Sequence, residues 1–267
     1  MNNTKLPQKV AVLLFNAVEP LDFVGPYEVF SAVNFGEPHV KYEVFTVSEN
    51  KADVKSSAGL VVKADYDFND CPQADMIVIP GGRITPELLE NSNVIHWIQS
   101  QHKNAAIVFS VCNGSMFVAK AGLLSGLSAT THHMCFSELL AIDPSIHLNK
   151  EERFIDNGSI ITAAGVSAGI DAALYIVYKL SGKEAFFKVS ELMEYGDGWK
   201  SVKRKLAGLP VARKINDKCV KCGKCAKVCP YNAVFEGDTQ YEINAEICVG
   251  IGPCAAMCPV GAIESEF

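Results

Sequence analysis

Seven of the chain's ten cysteines fall in its last 49 residues, at spacings that suit metal binding better than disulfides. Cys219, Cys222, Cys225 and Cys229 run as Cys-x2-Cys-x2-Cys-x3-Cys, with Pro230 next. Three thiolates within seven residues wrap three corners of an iron–sulfur cube, while the fourth, one helical turn on, points away to a second cluster. The pattern repeats 29 residues later as Cys248, Ile251, Cys254, Cys258 and Pro259, and Ala233-Val234 recurs as Ala262-Ile263. A structural zinc site built from four of these thiols is the competing reading; the repeat and both Cys-Pro pairs favour iron–sulfur. Ile251 breaks the symmetry. An alkyl group does not ligate iron, so that corner is empty or filled by water or another group, and a 3Fe-4S or labile 4Fe-4S cluster follows.

Another cysteine stands apart. Cys112 ends the apolar run Ala106 to Val111 and leads through Asn113-Gly114-Ser115 into a helical stretch. This is the layout of a nucleophile elbow: a reactive residue on a sharp strand-to-helix turn, with small neighbours at Ser110 and Gly114. The helix N-terminus beneath it lowers a thiol pKa and favours thiolate. A small buried cysteine closing a core strand fits the same spacing, and spacing alone leaves both readings open. Nothing singles out Cys71 or Cys135 beyond core or surface thiols. No GxxxxGK[ST] loop is present and no GxGxxG follows the first strand, so nucleotide binding has no support.

The elements that must position these residues follow from periodicity. Strands are expected at Val10 to Phe15, Tyr42 to Val47, Met76 to Ile79, Ala106 to Val111 and Ser159 to Thr162. Helices are expected at Pro26 to Val33, Pro86 to His102, Gly114 to Ala121, Phe136 to Ala141, Ala168 to Leu180 and Glu184 to Glu194. Nearly all-apolar strands alternating with helices make a doubly wound α/β domain with a mostly parallel sheet covered on both faces. Its site lies at the carboxyl ends of the strands. The expected division is an α/β domain over 1–196, a basic linker over 197–212 and a small α+β unit over 213–267.

At 267 residues and 49% apolar, the chain can bury one large core and carry a small second unit. No apolar run approaches the roughly 18–20 residues of a membrane helix, and MNNTKLPQKVAVLLF lacks the length and cleavage site of a signal peptide, so a cytoplasmic protein without membrane association is expected. The net charge of −6 argues against nucleic-acid binding, and it is uneven: residues 200–227 hold ten Lys or Arg against one acid, Asp217. That basic stretch reads as a solvated tether or as a docking surface for an acidic redox partner.

The C-terminal pattern resembles a bacterial two-cluster ferredoxin domain. The resemblance implies that Cys219, Cys222, Cys225 and Cys258 bind a first, 4Fe-4S cluster. It implies Cys229, Cys248 and Cys254 for the second, with Ile251 at its remaining position. Over roughly residues 8–195, the segments PLDFVGPYEVF, IVIPGGR, SVCNGSMFVAKAGLLSGLSATTHH and GVSAGIDAALYIV are similar to the ThiJ/PfpI superfamily. They lie nearest its isonitrile hydratase branch, which has a flavodoxin-like, class I glutamine amidotransferase-like fold. In that branch the elbow cysteine is the nucleophile, here Cys112, hydrogen-bonded by the aspartate of DxxGPxEV, here Asp22. The resemblance places Gly81, Gly82 and Asn113 around an anion-stabilising pocket, with Thr131 and His132 close by. Helix capping by Asp22, tight-turn glycines and a structural His132 are the plainer readings of the same residues. His133, Glu28 and Asp171 are expected to be structural. Asn113 departs from the threonine usual in the branch. The resemblance implies a cysteine-dependent hydratase that converts a small-molecule substrate, an isonitrile, to an N-substituted formamide, carrying an electron-transfer module. It further implies a homodimer and admits a redox partner protein. The alternative is a redox sensor in which the α/β domain binds a ligand or oxidant and the ferredoxin unit exchanges electrons with it.

Overall fold

The computed structural model describes residues 8–36, 41–195, 213–245, 247–248 and 253–265. Contacts divide the chain into two units, Met1–Val189 and Ser190–Phe267. The larger is built on β1 (Gln8–Leu13), α1 (Pro20–Ala32), β2 (Tyr42–Ser48), the short antiparallel pair β3 (Val54–Lys55) and β4 (Val61–Val62), β5 (Tyr66–Asp67) and β6 (Met76–Ile79). It continues with α2 (Pro86–Leu89), α3 (Ser92–His102), β7 (Ile107–Val111), α4 (Ser115–Lys120), β8 (Ser128–Ala129), α5 (Phe136–Ile142) and β9 (His147–Leu148). Last come β10 (Phe154–Asp156), β11 (Ile160–Ala163) and α6 (Ala168–Leu192). Seven strands form one sheet in the order β10-β11-β7-β6-β1-β2-β5, and every pairing is parallel except β10 with β11.

Every residue of β6 and β7 is buried, because helices cover both faces of the central strands. Phe30 on α1, Ile98 on α3 and Phe117 on α4 are fully buried among the core side chains. Each such side chain contributes about 1.5–3 kcal/mol by leaving water.

The structure moves several expected boundaries. Helix α1 starts at Pro20, not Pro26, because Pro20 sits at a first-turn position that needs no N–H, while Pro26 is absorbed inside the helix. Asp22 therefore lies in the first turn and caps nothing. The expected helix from Pro86 to His102 is two helices: Asn91 turns the chain and accepts from Asn93 N at 2.9 Å, capping α3. Gly182, with φ 84° and ψ 178°, interrupts α6 where the break between two helices was expected. The expected linker, 197–212, lies outside the described residues, as does Ile251.

In the smaller unit β12 (Arg213–Ile215) pairs antiparallel with β15 (Ile263–Ser265), and β13 (Val234–Glu236) with β14 (Tyr241–Ile243). Two short helices, α7 (Lys224–Val228) and α8 (Pro253–Ala256), complete it. Ile215, Val234, Ala262 and Ile263 form its core together with Cys225 and Cys254. So small a core is marginal alone, and cysteines occupy a large share of it.

Candidate active site and metal centre

Four adjacent strands, β1, β6, β7 and β11, deliver their carboxyl ends to one place. The chain leaving β7 enters Cys112 at φ 58°, a left-handed conformation that is strained for any residue with a Cβ. Its backbone is fully engaged: Cys112 N donates to Ala164 O at 2.9 Å, and Cys112 O accepts from Thr131 Oγ1 at 2.9 Å and Ser115 Oγ at 3.2 Å. Gly114 makes the turn possible, since a Cβ there would lie 2.7 Å from Pro80 O at the end of β6. The surroundings thus hold the elbow in a conformation costing about 1–3 kcal/mol.

Asp22 comes from the first turn of α1 and is wholly buried. Its Oδ2 accepts from Gly81 N at 3.0 Å, whereas Oδ1 has no well-formed hydrogen bond among the described residues. Burial pushes this carboxyl from 3.8 up to about 7; the Gly81 N–H and the Cys112 thiol favour its anion, and the charge of Glu19 opposes it.

The thiolate expected from the helix end is not what the site favours. Burial, and then the charge of Asp22, push the Cys112 thiol up to about 12, although the N–H groups of Asn113 and Val166 face the sulfur and favour its anion. Desolvation of a site only 8% exposed outweighs the local dipole. Two acids that both resist ionisation hold at most one negative charge between them near neutrality.

The turn after β6 is also used differently from the expected anion pocket. Gly81 N is committed to Asp22, and Gly82 N donates to Asn113 Oδ1 at 2.9 Å. Asn113 Nδ2 returns a bond to Gly82 O at 2.9 Å, so the side chain clamps the turn at both polar atoms. The turn is further zipped to the β1–α1 loop, with Glu19 N on Gly81 O and Arg83 N on Ala17 O, each 2.9 Å. The backbone donors aimed at the reactive sulfur are those of Asn113 and Val166. Val166 was not singled out from sequence. Its φ of 44° is exceptional for a β-branched residue, and its contribution is a main-chain N–H with no side-chain signature.

His132 packs against Gly165, and its Nδ1 accepts from Met134 N at 3.3 Å, closing the turn over residues 133–135. Burial, with the neighbouring His133, holds its pKa below the ordinary value. His133 stacks on it at 4.4 Å, Asp171 pairs with Arg153 at 2.5 Å, and Glu28 is exposed. The Cys71 thiol donates to Pro72 O at 3.3 Å, and burial pushes it up to about 11.

The smaller unit gathers thiols in a different setting. One cavity is lined by Cys219, Cys222, Cys225 and Cys258, with walls that include Ile215, Val260, Ala262 and Ile263. Cys248 packs separately, with Ala233, against Cys229 and Ile243. Main-chain N–H groups point at several sulfurs: Lys221 N at Cys219 Sγ (3.4 Å), Ala233 N at Cys229 Sγ (3.3 Å) and Ala262 N at Cys258 Sγ (3.2 Å). The last two are equivalent in the repeat. In each, the residue before the donor is left-handed, Asn232 at φ 50° and Gly261 at φ 60°. Thiols in an apolar cavity with amides directed at sulfur suit an iron–sulfur cluster, whose properties depend on such bonds.

The DJ-1/PfpI family profile matches residues 8–179, and that of a 4Fe-4S dicluster domain matches residues 218–262. The second match favours iron–sulfur over zinc for the cysteine repeat. An isonitrile hydratase of Pseudomonas putida is 36% identical over 187 residues, covering 70% of this chain and 78% of the relative. An HTH-type transcriptional regulator of Pseudomonas aeruginosa is 24% identical over 189 residues, covering 71% of this chain and 51% of its own length. Among solved structures, a ThiJ/PfpI family protein of Pseudomonas syringae superposes with a TM-score of 0.64 at 25% identity, covering 73% of this chain and 81% of that one. The mostly parallel sheet, the elbow on β7 and these matches agree, and the chain belongs to the DJ-1/PfpI family, with a 4Fe-4S dicluster domain following the family's α/β domain.

Proposed function

We propose that the α/β domain is a Cys112-dependent hydratase that adds water to a small electrophilic carbon compound, an isonitrile, to give an N-substituted formamide. The observation that carries this reading is the buried pair of a strained elbow thiol and a carboxyl that faces it, whose Oδ1 has no well-formed hydrogen bond among the described residues. A carboxyl held near neutrality accepts and returns protons at working pH. In the proposed cycle Cys112 Sγ bonds to the terminal isonitrile carbon while Asp22 takes the thiol proton and passes it to that carbon, leaving a thioimidate. Water then adds to the same carbon, and the proton it gives to Asp22 passes on to the imidate nitrogen. The C–S bond breaks as the new hydroxyl becomes the formamide carbonyl, the hydroxyl proton returns to the sulfur, and the formamide leaves. The Asn113 and Val166 N–H groups favour negative charge on the sulfur as it departs.

Hydration has no net electron demand, and none of these steps draws on the iron–sulfur clusters. They would be held by Cys219, Cys222, Cys225 and Cys258, and by Cys229, Cys248 and Cys254, and would supply one-electron exchange. With three cysteines, the second is proposed as 3Fe-4S or a labile 4Fe-4S, and Ile251→Cys should convert it to a stable 4Fe-4S by paramagnetic resonance. The protein is further proposed to be a cytoplasmic homodimer; among the described residues no helix is long and apolar enough to cross a membrane. The sensor alternative needs a thiol that oxidants reach readily, and the burial of Cys112, only 8% exposed, tells against it. The test is anaerobic turnover of an isonitrile panel by the intact protein and Cys112→Ala. Formamide production that stops in the variant supports the reading; equally slow hydration by both rejects it.

A further inference from the structure

The smaller unit distributes its charge unevenly. Within residues 213–267 every Lys and Arg lies between Arg213 and Lys227, and residues 228–267 contain none, only acids. One of these cations, Lys224, lines the thiol cavity, and three more lie within six residues of it in the chain. Lys224 shares the lip of the cavity with exposed Cys222, and Val220 (60% exposed) and Val260 (38%) provide apolar rim surface. Lys218, Lys221 and Lys227 are exposed close by in the chain. Lys221 is occupied, 3.3 Å from Glu236 and donating to Asp238 O at 3.0 Å. Lys218, Lys224 and Lys227 have no ion pair among the described residues.

Local structure gains little from these charges. Lys224 stands at the first position of α7, where a cation opposes the helix dipole; Lys227, in the last turn, suits the dipole but repeats the Lys224 charge on the same face. What the arrangement does provide is a small apolar centre with an exposed thiol, bordered by uncommitted cations. Transient redox interfaces have this make-up: modest area, apolar middle, and a charged rim that sets encounter rate and orientation.

We propose that the lip of the Cys219–Cys222–Cys225–Cys258 cavity is a docking surface for a small acidic electron-transfer protein, centred on Val220 and Val260 and steered by Lys218, Lys224 and Lys227. The proposal rests on the dicluster assignment of this unit and not on the hydratase reading. Residues 1–199 carry 14 Lys or Arg against 23 Asp or Glu, so an acidic partner is repelled by most of the chain and drawn to this face. The competing role for the lysines is to offset the negative charge of a thiolate-bound cluster, which would move its reduction potential without a partner.

The full-length, iron-loaded protein separates the two roles. The probe is a strongly acidic flavodoxin, with basic cytochrome c as the opposite-sign control, and affinity is measured at about 50 mM and about 500 mM salt, on either side of the screening range. The triple variant Lys218→Glu/Lys224→Glu/Lys227→Glu should bind flavodoxin about tenfold or more weaker than the parent at low salt, converge with it at high salt, and bind cytochrome c better. Lys218→Gln/Lys224→Gln/Lys227→Gln, with iron content equal to the parent, should fall between. Equal flavodoxin affinity in parent and reversal variant overturns the proposal, as does a shift in potential with affinity unchanged. Tighter binding of duplex DNA than of flavodoxin, or self-association lost in the variant, assigns the face to another occupant and also overturns it. Iron analysis is read separately: protein that takes up no iron rejects the cluster assignment, whereas iron-loaded protein with no affinity difference rejects the docking surface.

Discussion

The chain uses one residue type in two opposite ways. Around Cys112 the structure removes water, adds a carboxyl and strains the backbone, and the thiol keeps its proton until a reaction takes it. Around Cys219, Cys229 and Cys258, main-chain amides reach the sulfurs as they do at Cys112, but here five cysteines pack together with apolar residues as part of a core. The first setting suits a sulfur that forms and breaks a bond to carbon. The second suits sulfurs that stay bound to iron. Identity as cysteine decides neither; the neighbouring dipoles, charges and exposure do.

If that contrast holds, substitutions at the elbow should leave iron unaffected and substitutions at the cavity should leave turnover unaffected. Cys112→Ala should lower kcat by about 10³-fold or more with unchanged iron content, measured by formamide production and iron analysis. Asp22→Asn should cost about 10²–10⁴-fold in kcat. The same change should stabilise the fold. Because the folded pKa of Asp22 lies above its unfolded value, the native state binds more protons between about pH 4 and 7, and stability falls as pH rises through that window. Above it the whole cost applies, so Asp22→Asn should gain about 2–4 kcal/mol at pH 8 and almost nothing at pH 4 by denaturant titration. An equal gain at both pH values would detach the carboxyl's ionisation from stability.

At the cavity, Cys258→Ala leaves three cysteines and should convert the first cluster to a 3Fe-4S or labile 4Fe-4S form, read as the loss of about one iron and a changed resonance signal, with kcat for isonitrile hydration within about twofold of the parent. A parallel collapse of kcat would mean that the two settings are not independent. The smallest effect expected is at Asn113. Threonine cannot bond both polar atoms of Gly82 as the asparagine does, so Asn113→Thr should loosen the turn that presents Gly81 N to Asp22. With that hydrogen bond weakened, the carboxylate is less favoured. The acid limb of the pH–rate profile should move upward, with kcat down by about tenfold.

Much of the frame was legible in the residues. Strand β6 falls at Met76–Ile79 as expected, because a wholly apolar run bounded by Asp75 and the Pro80-Gly81-Gly82 turn has few other places in an α/β domain. The start of α1 was obscured by a second proline: Pro20 and Pro26 each read as a helix start, and only packing shows that the helix runs through Pro26. Strand β5, two residues long, is too short to carry any periodicity. The candidate site divides the same way. Cys112 and Asp22 stand out because their side chains are the signal. The Val166 N–H does not, and the glycines of the β6 turn reveal a close approach without revealing which acceptor takes each amide. The thiol's ionisation was misjudged because the helix end can be read from a string of letters, whereas burial requires the neighbours of every element around it.

The matched geometry of Cys229–Ala233 and Cys258–Ala262 also bears on ancestry. The same amide-to-sulfur bond follows the same left-handed residue in both segments, as expected of two descendants of one duplicated stretch. Cys258, in the later copy, lines the cavity whose other cysteines belong to the earlier one. The copies are therefore interdependent, and losing either would open a gap in its twin. Positions that serve only their own copy are under no such obligation, and divergence should collect there first. Ile251, opposite Cys222 in the repeat, is one of them.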